Sequence, residues 1–479
     1  MTTTVCDVAV IGCGAGGYRA AITAAQSGAL VVLIENERVG GSCLNYACVP
    51  KKALAHIATV LCQAQTFMGA GLKGQVSGDL PAAIAFKDKV VADLRRGLPM
   101  RLKQHAIEMI KGQARLLNPH QIHVDGPDGS RVIEARRIIL ATGAAPRALA
   151  EVPVDHEFIV DADSFIPSLS VAPAATVLCV GGGALGVEAA FLLQEFGSEA
   201  TIVTRGPRLV DRPVVSDRAA ALLERRLKEI GVVVRKGLSV RQARVVGAGV
   251  DVEFSDDSTA RFDRVLVAVG REPRPDDLGL QALGLVCDAR GFVVTNDYLE
   301  TSVPGIFAIG DLKGGPMTAA AAMHDGRVAG ENAACGNTRK RNYNQVPLVL
   351  DSVVPIAAVG LSEDMAEAAG FTPDVVYIPF GGSVKARAHN DSVGFIEIVY
   401  DEETGQMLGG CIAGAGADEL VHLLVAACRS RRGLWSFTDL DYGHPSWGED
   451  MGAALDPHLV KLLRSANTLF RPGIYAAAD

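Results

Sequence analysis

The stretch VCDVAVIGCGAGG, residues 5–17, decides the fold of this chain. Its first half is apolar and predicts a β-strand, and the pattern G-x-G-x-x-G follows at Gly12, Gly14 and Gly17. Such glycines permit a tight turn and let the backbone approach a pyrophosphate at the N-terminus of the next helix. Glu35 closes the following apolar run, where a carboxylate can accept a hydrogen bond from a ribose hydroxyl. The pattern predicts a dinucleotide-binding βαβ unit.

A second segment, GSCLNYACVPKK at residues 41–52, places two cysteines directly after this unit. Cys43 and Cys48 form a C-x4-C pair, which suits thiol–disulfide exchange beside a bound dinucleotide. Ten cysteines in 479 residues are too few for a disulfide scaffold. No further cysteine or histidine pair stands at zinc-ligand spacing, so the sequence predicts no metal site. Six other cysteines lie in apolar or glycine-rich contexts and are expected to be small buried residues: Cys6, Cys13, Cys179, Cys287, Cys411 and Cys428.

The glycine pattern recurs in the middle of the chain. Residues 176–180 are apolar and predict a strand, and Gly181, Gly183 and Gly186 repeat G-x-G-x-x-G. A helix and a further strand, residues 200–204, are expected to follow. Two such units in one chain predict two bound nucleotides and an internal duplication.

Composition limits the class of protein. A chain of 479 residues has room for about three to four domains. With 49% hydrophobic and 21% charged residues it can bury large cores. The net charge of −8 argues against nucleic acid or an anionic membrane as a main partner. No apolar run reaches the roughly 18 residues of a membrane span, and the first residues leave no room for a signal peptide, so we expect a cytoplasmic protein.

Three separated motifs identify a family resemblance: the first glycine pattern, the C-x4-C pair and the tail segment HPSWGE at residues 444–449. Together they resemble the FAD-dependent pyridine nucleotide–disulfide oxidoreductases, which include dihydrolipoamide dehydrogenases and glutathione reductases. The resemblance covers nearly the whole chain. It implies an α/β fold with two Rossmann-like dinucleotide-binding domains, a central domain and an α+β C-terminal dimerisation domain.

The resemblance also implies where the domains divide. The FAD-binding domain is expected at residues 1–150 and the NAD(P)-binding domain at residues 151–272. The central domain, which completes the FAD site, is expected at residues 273–345, and the interface domain at residues 346–479.

Further residues are carried over to the FAD site from the family. Two apolar strands end there, one in A-T-G and one in Gly-Asp, and an alanine run is expected to start a helix that points its dipole at the flavin. The complete set expected at FAD is Gly12, Gly14, Gly17, Glu35, Gly41, Ser42, Lys52, Thr142, Gly143, Gly310, Asp311 and Ala319.

The family assigns different parts to the two cysteines. By resemblance, Cys43 exchanges with the substrate, and Cys48 contacts the flavin as a thiolate. A lysine near the flavin pairs with a glutamate after the second glycine pattern, which Glu188 matches. We favour Lys52 for that lysine without excluding Lys51. Near the tail, His444 is expected to act as acid and base on the exchange thiol of the partner subunit, with Glu449 orienting its ring.

The second nucleotide site departs from an NAD pattern. Gly181, Gly183, Gly186 and Gly270 frame the site, but Thr204 stands where NAD sites usually carry an acid. Arg205 and Arg208 follow, and guanidinium groups suit a 2′-phosphate. Solvated loop arginines would look the same in sequence. We favour NADP(H) and leave NAD open.

Several substrates fit the resemblance. The segments Cys43–Asn45 and Gly314–Met317 favour a dihydrolipoamide dehydrogenase acting on a small-molecule dithiol or on a carrier-bound one, such as that of a lipoyl protein. The alternative is an NADPH-dependent, glutathione-reductase-like enzyme, favoured by VPKK at residues 49–52. A mercuric reductase is disfavoured because residues 473–479 lack a cysteine pair, and a flavin transhydrogenase because the C-x4-C pair is intact.

A homodimer with active sites shared across its interface is expected, with neither nucleic acid nor membrane as partner.

Overall fold

A computed structural model describes residues 2–169, 174–274, 278–430, 432–437 and 440–465. The tail at 473–479, used above against a mercuric reductase, lies outside the described residues. Elements of the first part of the chain, in order, are β1 Thr2–Ile11, α1 Ala15–Gln26, β2 Val31–Glu35, α2 Gly41–Asn45, α3 Cys48–Thr66, α4 Leu80–Gln104, β3 Glu108–Lys111, β4 Gln113–Asn118, β5 Gln121–Gly126, β6 Gly129–Leu140 and β7 Ala144–Pro146.

The middle of the chain holds the second glycine pattern. Its elements are β8 Ile159–Asp161, α5 Phe165–Ser168, β9 Thr176–Val180, α6 Ala184–Glu195, β10 Glu199–Thr204, α7 Asp217–Glu229, β11 Val233–Lys236, β12 Val240–Val246, β13 Gly249–Phe254, β14 Thr259–Phe262, β15 Arg264–Val267 and β16 Arg271–Pro273.

The last part of the chain starts with one strand and one long helix, then alternates strands and helices. Its elements are β17 Ile306–Ala308, α8 Ala319–Cys335, β18 Leu348–Leu350, β19 Ile356–Gly360, α9 Glu363–Ala368, β20 Pro373–Pro379, α10 Val384–Ala388, β21 Gly394–Asp401, β22 Met407–Gly414, α11 Ala417–Arg429 and α12 Trp447–Ser465.

The first sheet has the strand order β3-β2-β1-β6-β5-β4, and β17 pairs with β6. Strand β1 is parallel to both β2 and β6, and the apolar side chains of its second half, residues 8–11, are buried. Because β17 comes from far along the chain, residues after 300 complete the first dinucleotide fold. Helix α8 then packs along α1.

The second sheet, β11-β10-β9-β15-β8, is parallel and repeats the same βαβ arrangement around the second glycine pattern. An antiparallel sheet, β12-β13-β14, is attached to it. Strands β7 and β16 pair with each other, antiparallel, and form a two-stranded crossing between the two dinucleotide folds.

The C-terminal sheet, β18-β19-β22-β21-β20, is antiparallel, with α11 and α12 packed against it. One hydrophobic core joins it to α6, because Phe191 and Leu192 pack in the same cluster as Ile356 and Phe395. The predicted fold class is confirmed. The domain boundaries themselves remain predictions.

Burial contradicts one minor prediction. Cys6, Cys13, Cys179 and Cys411 are buried and Cys428 is half-buried, but Cys287 is exposed. Leu285, two residues earlier, packs inside the fold, and local composition cannot distinguish the environments of the two residues.

Candidate active site

A cavity of about 620 Å³ opens beside the first glycine pattern and reaches the cysteine pair. Twelve of the residues predicted for this site line it: Gly12, Gly14, Glu35, Gly41, Ser42, Cys43, Cys48, Thr142, Gly143, Gly310, Asp311 and Ala319. Residues far apart in sequence therefore meet along one elongated space.

The glycines of the first pattern have different reasons to be glycine. Gly12 has φ +102°, and a Cβ on Gly17 would lie 1.8 Å from the carbonyl oxygen of Gly12, so Gly17 is a packing residue behind the cavity. A Cβ on Gly14 would meet nothing within 4 Å, because this residue faces open space at the start of α1. No side chain caps that helix. The uncapped helix and the open space fit a pyrophosphate.

Glu35 lines the cavity, and backbone N–H groups hold its carboxylate in place. Its carboxylate accepts hydrogen bonds from the backbone N–H groups of Cys13 and Glu37, both at 2.7 Å. These bonds fix the carboxylate at the end of β2, where the ribose of a dinucleotide is expected. The cavity, the open glycine and this fixed acid together fit FAD.

Asp311 lines the cavity. Burial raises the pKa of its carboxyl, although Arg271 and Lys313 oppose that shift. The Arg271 guanidinium is 3.9 Å from Asp311 and donates to Asp163 at 2.9 Å and to the Ala144 carbonyl at 2.6 Å. Arg271 therefore links the crossing strands β7 and β16 to the cavity, a role that sequence reasoning missed because its partners are remote in sequence.

The two cysteines lie in neighbouring helices. Cys43 lies in α2, and Cys48 is the first residue of the 19-residue helix α3. The Cys43 thiol donates a hydrogen bond to the Cys48 sulfur; this bond, together with the charge of Lys51, lowers the pKa of Cys48 to about 7 although burial opposes it. The same bond and burial raise the pKa of Cys43. When the pair is reduced, the thiolate is favoured on Cys48.

The lysine prediction that favoured Lys52 is wrong in its pairing. Lys51, not Lys52, forms the ion pair with Glu188, whereas Lys52 pairs with Asp351. Burial lowers the pKa of Lys51, but Glu188, Cys48 and Asp351 together outweigh burial and the net pKa is raised. One helical position turns a side chain by about 100°, so only one of two adjacent lysines on α3 can face both Cys48 and α6. Lys51 is also one turn from Cys48.

The second glycine pattern repeats the first in detail. Gly181 has φ +120°, a Cβ on Gly186 would lie 1.9 Å from the Gly181 carbonyl oxygen, and a Cβ on Gly183 would meet nothing within 4 Å. Gly270 has φ +105° and also faces open space. Thr204 ends β10, and its hydroxyl accepts a hydrogen bond from the Gly206 N–H at 3.3 Å.

The two arginines after Thr204 differ. Arg208 donates to Asp211 at 3.0 Å and to Asp217 at 2.7 Å, and also to backbone carbonyls of the same loop. The structure therefore contradicts its prediction as a phosphate ligand: its donors hold the loop together. Arg205 is exposed, and within the described residues its side chain forms no hydrogen bond or ion pair. Of the two, only Arg205 is available for a phosphate.

His444 and Glu449 form a pair at the tail. His444 Nδ1 lies 3.0 Å from the Glu449 carboxylate, which also accepts from the Ser446 N–H at 3.2 Å. The bond from His444 lowers the pKa of Glu449. The imidazole is 71% exposed and is not among the described residues that line the cavity of its own chain. Neighbouring Trp447 instead packs on Phe380, with ring centroids 5.5 Å apart.

Known proteins match this chain along most of its length. The family model described as pyridine nucleotide-disulphide oxidoreductase matches residues 6–326, and the dimerisation domain of that family matches residues 346–455. The dihydrolipoyl dehydrogenase of Chlorobaculum tepidum is 35% identical over 454 residues, which covers 94% of this chain and 96% of the relative. The dihydrolipoyl dehydrogenase of Thermus scotoductus is 37% identical over 420 residues, covering 87% and 89% of the two chains.

Solved structures show that the fold is also similar to that of known flavoprotein disulfide reductases. The HOCl-induced flavoprotein disulfide reductase RclA from Escherichia coli is 26% identical with a TM-score of 0.80, covering 93% of this chain and 98% of that chain. LpdA from Mycobacterium tuberculosis has a TM-score of 0.87 over 95% and 99% of the two chains, and at 24% identity this likeness concerns the fold alone. The dimerisation-domain match supports a homodimer.

Two further features are absent from the part of the chain that the structure describes. Every helix there is too short or too polar to traverse a lipid bilayer. Histidine, cysteine and carboxylate side chains in the same part of the chain form no cluster of three or more suited to a metal ion.

Proposed function

The chain belongs to the pyridine nucleotide-disulphide oxidoreductase family, an enzyme family that uses FAD and NAD(P), and we propose that it is a dihydrolipoyl dehydrogenase. In the proposed reaction a dihydrolipoyl dithiol and NAD(P)+ give the cyclic disulfide, NAD(P)H and a proton. Bound FAD would supply the two-electron relay between the nicotinamide and the cysteine pair.

The cysteine pair carries this proposal. Two thiols in hydrogen-bond contact, one with a pKa of about 7, lie at the end of a cavity that fits a dinucleotide. In the proposed exchange, a substrate thiolate attacks Cys43 of the oxidised pair and forms a mixed disulfide as Cys48 leaves as the thiolate. The second substrate thiolate then releases Cys43 and completes the cyclic disulfide. A low pKa makes Cys48 the better leaving group.

Lys51 and Glu188 have a positioning role in the proposal. The Lys51 ammonium next to Cys48 stabilises the thiolate, and Glu188 holds that ammonium. Glu188 itself accepts a hydrogen bond from the Asp351 N–H at 3.0 Å, which ties α6 to the C-terminal sheet. The charge beside Cys48 thus depends on three separate parts of the chain.

We further propose that the His444–Glu449 pair serves the cysteines of the partner subunit. This fits an exposed imidazole that does not line its own cavity and a matching dimerisation domain. The imidazole would accept the proton of a substrate thiol and later return it, and the carboxylate would stabilise the imidazolium.

The proposal is tested by turnover with lipoamide and with glutathione disulfide, each with NADH and with NADPH. We expect lipoamide to be the better acceptor. We also expect Cys48→Ser to abolish disulfide turnover while hydride transfer from NAD(P)H to the flavin remains. Full lipoamide activity of Cys48→Ser would show that the cysteine assignment is wrong.

Subunit sharing is tested with mixed dimers. His444→Gln and Cys48→Ser should each be inactive in disulfide turnover as homodimers. Heterodimers of the two variants should recover about one working site per dimer, because one site then receives an intact histidine and an intact cysteine pair. No recovery in verified heterodimers would show that His444 does not act across the interface.

A glutathione-reductase-like enzyme that uses NADPH is the second candidate. The observation that favours it is Thr204 in place of an acid, with Arg205 exposed beside it. We propose NADP(H) as the preferred nucleotide in either case. A cytoplasmic location stays a prediction, and the reducing conditions there would suit a dithiol substrate.

A further inference from the structure

A buried ion pair joins Lys313 to Asp325 next to the cavity that fits FAD. The Lys313 Nζ atom lies 3.7 Å from the Asp325 carboxylate, and the two side chains are only 3% and 2% exposed. Lys313 ends the short 3-10 turn Gly310–Lys313, and Asp325 lies in the second turn of α8. Removing two charges from water costs free energy that their attraction offsets only with good geometry and further hydrogen bonds. The other partners of the pair therefore decide what it does.

The Asp325 carboxylate has two further partners. It accepts a hydrogen bond from the Gly310 N–H at 3.1 Å and another from the Tyr343 hydroxyl at 2.8 Å. Burial raises the pKa of Asp325, and the ion pair and both hydrogen bonds oppose that shift. Tyr343 precedes β18, the first strand of the C-terminal sheet. One buried carboxylate thus connects the backbone of Gly310 to the segment that leads into that sheet.

Lys313 contacts the loop that follows it. Its Nζ atom lies 4.9 Å from the centre of the Tyr343 ring, and a Cβ on Gly315 would lie 3.5 Å from the same Nζ atom. Gly314 and Gly315 have φ of +71° and +91°, and Met317 has φ +52° although it is not a glycine. A side chain in this left-handed region is strained and persists where its surroundings hold it. The packing around Lys313 supplies such surroundings.

The loop at residues 310–317 forms part of the cavity wall. Residues 310–312 line the cavity before the loop turns, and residues 317–319 line it afterwards. None of the three side chains of the ion pair and its tyrosine is among the described residues that line the cavity. The pair can therefore act on a bound flavin nucleotide only through the loop.

We propose that Lys313, Asp325 and Tyr343 are positioning residues for FAD, which hold the loop at residues 310–317 in the shape that contacts the cofactor. The Asp325 carboxylate fixes the Gly310 N–H, and the Lys313 ammonium compensates that carboxylate where water is excluded. Tyr343 extends the dependence to a segment far from the glycine pattern. This inference goes beyond the proposed function, because it is the same for a lipoyl and for a glutathione-type substrate.

The test measures release of FAD from purified holoenzyme. Holoenzyme is diluted, and released FAD is followed by its fluorescence, while the absorption spectrum of the bound flavin and the unfolding temperature are recorded on the same samples. Lys313→Met removes one charge and Asp325→Asn removes the other. Each should raise the rate of FAD release by about tenfold, as for loss of a charge-assisted contact, and should shift the flavin absorption bands.

The double variant Lys313→Met/Asp325→Asn separates positioning from a general loss of packing. With both charges removed, no unpaired charge stays buried, so the double variant should release FAD more slowly than either single variant. Tyr343→Phe removes one oxygen atom, and it tests the proposal even where the charge variants do not yield folded protein. It should raise the release rate by about threefold, because Asp325 loses one donor.

Lys340→Met is the matched control. Lys340 also lies beside a tyrosine ring and a carboxylate, 5.7 Å from the centre of the Tyr298 ring and 3.8 Å from Asp297, but its side chain is 62% exposed. This variant should release FAD at the rate of the parent.

Two results would overturn the proposal. One is a rise in release rate in Lys340→Met equal to that in Lys313→Met. The other is a lower unfolding temperature with unchanged FAD release and spectrum in Lys313→Met, Asp325→Asn and Tyr343→Phe, which would mean that the cluster stabilises the fold alone. Because FAD release is measured without a disulfide substrate, such a failure is distinct from a failure of lipoamide turnover.

Discussion

The two dinucleotide folds of this chain share their glycine geometry almost atom for atom. Gly12 and Gly181 both have positive φ, and the last glycines, Gly17 and Gly186, approach the first glycine's carbonyl so closely that a Cβ would lie 1.8 and 1.9 Å from it. Each turn also abuts the strand that returns to the sheet, through the carbonyls of Ala141 and Ala268. This shared part determines the fold.

The folds differ at two equivalent positions. The second strand ends in Glu35 in the first fold and in Thr204 in the second. Seven residues after the first glycine, α1 carries Arg19 where α6 carries Glu188. Glu188 has its counter-charge in Lys51, whereas Arg19 has a buried nitrogen without a partner. Glycines thus specify the backbone, and the differing side chains specify what each fold binds.

The largest effect on stability is expected at Gly17 and Gly186, where backbone atoms occupy the place of a Cβ. Gly17→Val and Gly186→Val should each destabilise the protein by more than about 4 kcal/mol, because backbone atoms that cannot move away occupy the space of the new side chain. Thermal unfolding and flavin content would measure this loss. If the two folds are equivalent in this respect, both variants should fail to yield folded flavoprotein.

Matched controls are Gly14→Ala and Gly183→Ala. Both positions face open space and have ordinary φ values, so the folded chain should tolerate a methyl group. Gly14→Ala should lower FAD retention, and Gly183→Ala should weaken the nicotinamide nucleotide, each with little change in unfolding temperature. Unfolding of either control would contradict the division between packing and binding glycines.

Features set by local sequence could be predicted. Strand β9, the alanine start of α8 and the C-x4-C pair follow from residue pattern, because backbone propensity and glycine geometry act over a few residues. The His444–Glu449 contact, which the family resemblance implied, joins residues only five positions apart. The family supplied the order of the domains.

Features set by remote partners could not be predicted. Choosing between Lys51 and Lys52 requires knowing which face of α3 meets α6, 137 residues away. Arg208 resembles a phosphate ligand until its bonds to Asp211 and Asp217 are seen. Arg271 on β16 donates a hydrogen bond to the carbonyl of Ala144 on β7, 127 residues earlier in the chain. In each case the sequence predicts the residue type, and tertiary packing determines the partner.

The second-largest effect is expected in nucleotide affinity at the second fold, where Thr204 stands in place of an acid. Arg205→Ala should weaken NADPH more than NADH by about ten- to hundredfold, since a charge-assisted contact contributes roughly 1.5 to 3 kcal/mol. Thr204→Glu, which restores the acid of the first fold, should shift preference to NADH because a carboxylate repels the 2′-phosphate. Nucleotide Kd values would measure both changes.

Arg208→Ala provides the contrast. Its guanidinium stabilises the loop, so this variant should lower the unfolding temperature and keep the ratio of NADPH to NADH affinity within about twofold. Equal loss of both nucleotides in Arg205→Ala, or strong NADH preference of the parent, would refute the NADP(H) proposal.

The smallest effect tests the charge of Lys51, which Glu188 of α6 pairs with beside the cysteines. Cys48 has a pKa of about 7, lowered first by the Cys43 hydrogen bond and then by Lys51, so its thiolate is lost as the pH falls through that value. Lys51→Met should raise the pKa and move the pH profile of Cys48 alkylation in the reduced enzyme upward. Below pH 7 the rate should fall by roughly tenfold, the effect of about one pKa unit.

Lys52→Met is the matched control, because Lys52 is half-exposed and pairs with Asp351, and its profile should stay close to that of the parent. Glu188→Gln should shift the profile less than Lys51→Met, since the ammonium remains but loses its anchor. A larger shift in Lys52→Met than in Lys51→Met would mean that the second fold does not control the thiolate through Glu188.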